Sequence, residues 1–146
     1  MASYEKRTWW SRHRMTERLT GEAFLEGAVT CALLIAAADG NASEQEYDAL
    51  LDRLEILGGV DRDKVDELLT VVTNELEASG FEPRIARVAE LLTDAGDAEA
   101  ALRLGIAIAL ADDDVSAQER EIAAQLAKAL KLEALSLDAV IAEQQG

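Results

Sequence analysis

Apolar residues along this chain recur at helical spacing, and no credible alternating run of apolar and polar positions occurs. Phe24 to Ala38 is apolar nearly all round, the pattern of a buried central helix. Ala98 to Ala111 has the same character, with Leu102, Leu104, Ile106, Ile108 and Leu110 covering more than one face. The other segments are one-sided. Tyr47, Leu50, Leu51, Leu54 and Leu57 form a stripe that Gly58-Gly59 ends. Val65, Leu68, Leu69, Val72 and Leu76 form another, behind an Asp61 cap and up to a break at Ser79-Gly80. Ile85, Val88, Leu91 and Leu92 follow, on a helix starting near Pro83 and closing around Gly96. Ile122, Leu126 and Leu130 make the next stripe, and Ser136 caps a short last helix carrying Leu137, Val140 and Ile141. The pattern predicts an all-α, single-domain bundle of about seven or eight helices. Two helices apolar on every side cannot both face water, so they are expected at its centre, related by an approximate twofold.

That twofold is written in the sequence. A shift of 73 residues carries Asp39-Gly40-Asn41-Ala42-Ser43-Glu44-Gln45-Glu46 onto Asp112-Asp113-Asp114-Val115-Ser116-Ala117-Gln118-Glu119. Asp39, Ser43, Gln45 and Glu46 then fall on identical residues, and Asn41 falls on Asp114. Upstream, Glu26, Ala28, Ile35, Ala36 and Ala38 meet Glu99, Ala101, Ile108, Ala109 and Ala111; downstream, Leu57 meets Leu130. Two copies are too few for a solenoid, so this reads as an internal duplication within one domain.

Composition supports a folded helical globule. Apolar residues are 49% and charged residues 29% of 146, with one Pro and few aromatics. A net charge of −15 argues against direct nucleic-acid binding, which needs clustered cationic residues, and suits a cation or a basic partner. The single Cys31 has no intramolecular partner, and no apolar leader followed by a cleavage site is visible, so a reducing cytoplasm is the simplest setting. The longest apolar run, Ala28 to Ala38 with only Thr30 interrupting, falls short of the roughly 20 residues that span a bilayer.

Residues 1–20 stand apart from the domain expected over 21–146. Lys6, Arg7, Arg12, Arg14 and Arg18 against Glu5 and Glu17 leave this segment at +3 and the remainder at −18. Trp9 and Trp10 lie in its middle. Such a segment either lays its aromatics on the body and pairs its arginines with the acidic surface, or makes a peripheral contact with an anionic membrane.

Each acidic passage joins an all-round apolar helix to an amphipathic one, so each is a tight helix–helix turn. Asp39, Asn41, Ser43 and Glu46 offer oxygen donors alone, as do Asp112, Asp114, Ser116 and Glu119. Carboxylates gathered in one turn repel unless a cation or hydrogen bonds offset them. Hard oxygen sets suit calcium, magnesium or manganese and do not suit zinc. The spacing opens like an EF-hand loop, but Glu stands at the eighth position and the sixth lacks Gly, so it is not one. A second reading needs no ion: Ser43-x-x-Glu46 and Ser116-x-x-Glu119 are both capping-box patterns, and Asp39-Gly40 can end the preceding helix. Capping leaves Asp39, Asn41, Asp112, Asp113 and Asp114 without a role. Catalytic signatures are thin. His13 and Cys31 have no reason to meet, Cys31 reads as a small core residue, and no phosphate loop, Cys/His metal spacing or nucleophile elbow appears.

Phe24-Leu25-Glu26-Gly27-Ala28-Val29 leading into Ala37-Ala38-Asp39-Gly40-Asn41-Ala42-Ser43 resembles the tellurite-resistance protein family TerB and its TerB-like relatives. Ala100-Ala101-Leu102-Arg103-Leu104-Gly105-Ile106-Ala107-Ile108-Ala109 before the second turn resembles it too, and the likeness runs from about Phe24 to Leu132. The resemblance implies an all-α bundle with internal pseudo-symmetry, whose acidic clusters hold a divalent cation such as calcium or magnesium. It implies cytoplasmic work beside a TerC-type membrane partner in tellurite or related stress resistance, without enzymatic activity. Carried over by position, it assigns Asp39, Ser43, Glu46 and Glu26 in the first half, and Asp112 and Glu119 in the second. The family has Asp-Gly in the second turn where this chain has Asp113, which adds a carboxylate and disfavours a left-handed turn. The expectation is a cation-responsive interaction module. Its rivals are a constitutive scaffold whose acidic turns only cap helices, and a metal-dependent hydrolase.

Overall fold

The computed structural model describes residues 21–38, 48, 51–52, 61–109, 116–132, 137 and 139–140. They form a single all-helical domain with five helices: α1 (Glu22–Ala36), α2 (Arg62–Ser79), α3 (Phe81–Leu91), α4 (Ala95–Ala109) and α5 (Ala117–Ala129). No strand occurs among the described residues. Asp48, Leu51 and Asp52 are helical, as are Leu137, Ala139 and Val140, within two further segments that the apolar stripes assign to helix.

Helix α1 organises the domain. From Phe24 to Ala36 every residue except Glu26 is buried, as its apolar sequence requires. Its Thr30 hydroxyl is satisfied internally, donating to the Glu26 carbonyl at 2.7 Å. α1 packs most extensively on α4 and also touches α3, α2 and α5, so neighbours cover it on all sides. α4 buries Ala98, Ala101, Leu102, Leu104 and Ile106 to within about 1% of full burial, so the two helices singled out by all-round apolarity are each other's main partners. Their axes meet at Gly105. A Cβ built there would stand 2.8 Å from the Cys31 Cβ and 3.1 Å from the Ala32 amide nitrogen, so only glycine admits this approach.

The outer helices bury single stripes: Val65, Leu69 and Val72 on α2, Ile85 and Val88 on α3, and Ile122, Ala123, Leu126 and Ala127 on α5. Local chemistry sets their ends. The Asp61 carboxylate accepts from the Asp63 amide at 3.0 Å and starts α2. Gly80, at φ 83°, separates α2 from α3, a conformation favouring glycine. Pro83 sits in the first turn of α3, where a missing N–H costs nothing.

Two boundaries differ from the sequence expectation. α3 closes at Leu91 and not around Gly96, which lies in the first turn of α4. The Asp94 carboxylate accepts from the Gly96 amide at 2.9 Å and so starts a helix where a lone glycine suggests a stop. α1 ends at Ala36 with Ala37 as its cap, before Asp39-Gly40 is reached. At the far end, α5 closes in a Schellman motif. The Leu132 amide donates to the Ala127 carbonyl at 2.7 Å and the Lys131 amide to the Lys128 carbonyl at 3.1 Å, with Lys131 left-handed at φ 61°.

Candidate functional site

Ser116 and Glu119, from the second acidic passage, form a complete capping box at the start of α5. The Ser116 hydroxyl accepts from the Glu119 amide at 3.0 Å, and Glu119 Oε1 accepts from the Ser116 amide at 2.9 Å. Both side chains are therefore engaged in starting the helix. Asp39, Asn41, Ser43, Glu46, Asp112 and Asp114 lie outside the described residues, as do Asp113 and His13. Among the described residues, no three or more His, Cys, Asp or Glu side chains converge to hold a metal ion.

Glu26 is held by a cation from another helix. Arg87 Nε on α3 donates to Glu26 Oε2 on α1 at 3.1 Å. That hydrogen bond, and the charge behind it, raise the pKa of the Arg87 guanidinium and keep it firmly protonated. Its counterpart under the 73-residue shift, Glu99, is paired as well, accepting from Arg103 Nε one helical turn on at 3.1 Å.

Cys31 is fully buried at the α1–α4 crossing, and burial pushes its thiol pKa up to about 12. A thiol that stays protonated and out of contact with solvent is a packing group and not a nucleophile.

The ends of the central helices carry an electrostatic signature. Neither α1 nor α4 has a basic residue in its last turn. The partial negative charge of each carbonyl end is therefore offset by no cation of its own helix. Their crossing at Gly105 and Ala32 falls about one turn before the end of each helix.

Sequence reasoning missed a groove of about 500 Å³ where α1, α2 and α3 converge. Leu25, Leu68, Val71 and Val72 supply its apolar lining. Val71 is 51% exposed, the most open large hydrophobic residue among those described. Ion pairs close its flanks: Arg84 with Glu75, Arg87 with Glu26, and Lys64 with Glu22 at 3.8 Å. The doublets Leu68-Leu69 and Val71-Val72 were the available signal, because they widen the α2 stripe beyond what one buried face needs. No helix among the described residues is long and apolar enough to cross a membrane.

The family model for tellurite resistance protein TerB matches residues 26–141, most of the chain and the whole of the described bundle from the second turn of α1 onward. Neither a curated protein nor a solved structure matches. An all-helical domain, two paired apolar helices each leading toward an acidic passage, and a family match of this extent agree, and the chain belongs to the TerB tellurite-resistance family.

Proposed function

We propose that the chain is a cytoplasmic, divalent-cation-binding interaction module acting in tellurite or related stress resistance, with a membrane protein of the TerC type as its partner. The observation that supports it best is that α1 and α4, each other's main packing partners, both finish without a basic residue in the last turn, and each leads into a passage rich in Asp and Asn. Carboxylates placed at carbonyl ends are repelled by them and by one another, and a calcium or magnesium ion offsets both. In this reading Asp39, Asn41 and Glu46, with Asp112 and Asp114, supply the oxygens. The filled turns fix how the two halves sit and so present a surface to the partner. The halves are related by a pseudo-twofold within a bundle of seven or eight helices. Gly105 packs against Ala32, the residue that the 73-residue shift carries onto it, as an axis passing between α1 and α4 would require.

The capping box at Ser116 and Glu119 favours a second reading, a constitutive helical scaffold in which the passages only start helices. Melting curves separate the two. Calcium, magnesium or manganese at about 100 times its dissociation constant stabilises a specific binder by roughly 2.7 kcal/mol. The paired change Asp39→Asn with Asp112→Asn abolishes that shift. A wild-type melt indifferent to all three ions sinks the cation reading and leaves the scaffold.

A further inference from the structure

We propose that the groove between α1, α2 and α3 is the docking site of the chain's own basic N-terminal segment, residues 1–20, with Trp9 and Trp10 on its apolar lining.

Position argues first. α1 begins at Glu22, which itself lines the groove, and Gly21 ahead of it is extended and makes no side-chain cap. The point at which the segment is attached therefore lies beside the groove. Residues 11–20, between Trp10 and Gly21, span roughly 33 Å extended or about 15 Å as a helix. The α2 wall from Lys64 to Glu75 is about 16 Å long, so the tryptophans reach the lining in either conformation.

Charge argues second. Four carboxylates line the groove, Glu22, Glu26, Glu67 and Glu75, against Lys64, Arg84 and Arg87. Each of these bases is held by an acid, which leaves Glu67 as the surplus. An acidic surplus selects a cationic occupant, and residues 1–20 are the one stretch of this chain set apart by a net positive charge, +3 against −18 for the rest.

Chemistry argues third. Val71 at 51% exposure, beside Leu25, Leu68 and Val72, offers an apolar surface that indole rings cover well. The flanking Arg84, Arg87 and Lys64 can lie over indole faces. Docking of this segment needs no bound cation.

Trp9 and Trp10 are the only tryptophans, so the fluorescence of the intact chain reports the segment directly. Docking predicts emission blue-shifted from that of a synthetic peptide of residues 1–20, with acrylamide quenching several-fold weaker. Val71→Lys, at an exposed position, moves both toward the peptide values while the circular dichroism and melting temperature hold. Glu67→Lys does the same by reversing the surplus charge. Emission equal to the peptide's in the wild type overturns the proposal, and so does emission unmoved by both variants. A blue shift that needs anionic phosphatidylglycerol vesicles assigns the segment to a membrane and overturns it. A shift that grows with protein concentration assigns the groove to a second copy and overturns it too.

Discussion

Gly105 lies against Cys31 where α1 and α4 cross, and the space its missing Cβ would fill is taken by the Cys31 side chain and the Ala32 backbone. Gly105→Ala therefore destabilises the domain. Alanine favours a helix by up to about 1 kcal/mol over glycine, but overpacking against backbone costs about 1–3 kcal/mol, and the clash wins. Urea unfolding measures the loss. Cys31→Gly in the same background, which removes one of the two clashing neighbours, recovers part of the change that packing caused.

Cys31 itself makes stability depend on alkaline pH. Its folded pKa of about 12 lies above the ordinary thiol value, so the folded state keeps a proton that the unfolded state releases. The contribution is neutral below about pH 8.5, and stability then falls by about 1.4 kcal/mol per pH unit until the folded pKa is approached. Cys31→Ala lacks this component, so the stability difference between wild type and variant changes with that slope from pH 8.5 upward. At neutral pH a thiol reagent labels Cys31 in urea and leaves the native protein unmodified.

Lys131 holds a left-handed backbone at the position where a Schellman motif favours glycine. A side chain there costs about 1–2 kcal/mol, partly offset by the flexibility that glycine adds to the unfolded chain. Lys131→Gly raises stability by about 1 kcal/mol, read as a melting-temperature increase of a few degrees. A decrease would show that the lysine side chain has a compensating contact.

The capping box gives a control for the cation reading. Ser116→Ala removes the hydroxyl that accepts from the Glu119 amide and costs about 1 kcal/mol in the absence of any ion. If the acidic turns hold a cation through Asp39 and Asp112, that loss is the same with calcium present and absent, while the paired Asp→Asn change alters the calcium response alone. Equal behaviour of the two variants would tie the ion response to helix initiation.

Much of this was legible because it is written in local pattern. All-round apolarity marked α1 and α4, single stripes marked the outer helices, and Asp61 and Ser116 announced their caps. Gly96 misled because glycine alone reads as a stop, whereas the Asp94 carboxylate beside it starts a helix. Lys131 gave no sign of its left-handed backbone, since a Schellman motif is fixed by the packing of the residues around it. The groove was invisible for a different reason: it needs three helices to converge, and no single stretch carries it. Glu26 shows the same limit. Its Arg87 partner lies 61 residues away, and only the fold joins them.

The enclosure of α1 by four other helices bears on how the chain can be divided. Cut at Ser79–Gly80, the first fragment keeps α1 and α2 but strips α1 of α3, α4 and α5, leaving a bare oily rod. The second fragment loses the same contact from its own side. Neither piece would remain dispersed by itself, whereas the two mixed would reconstitute one body. Whatever the two acidic passages do, they do as parts of one cooperative unit.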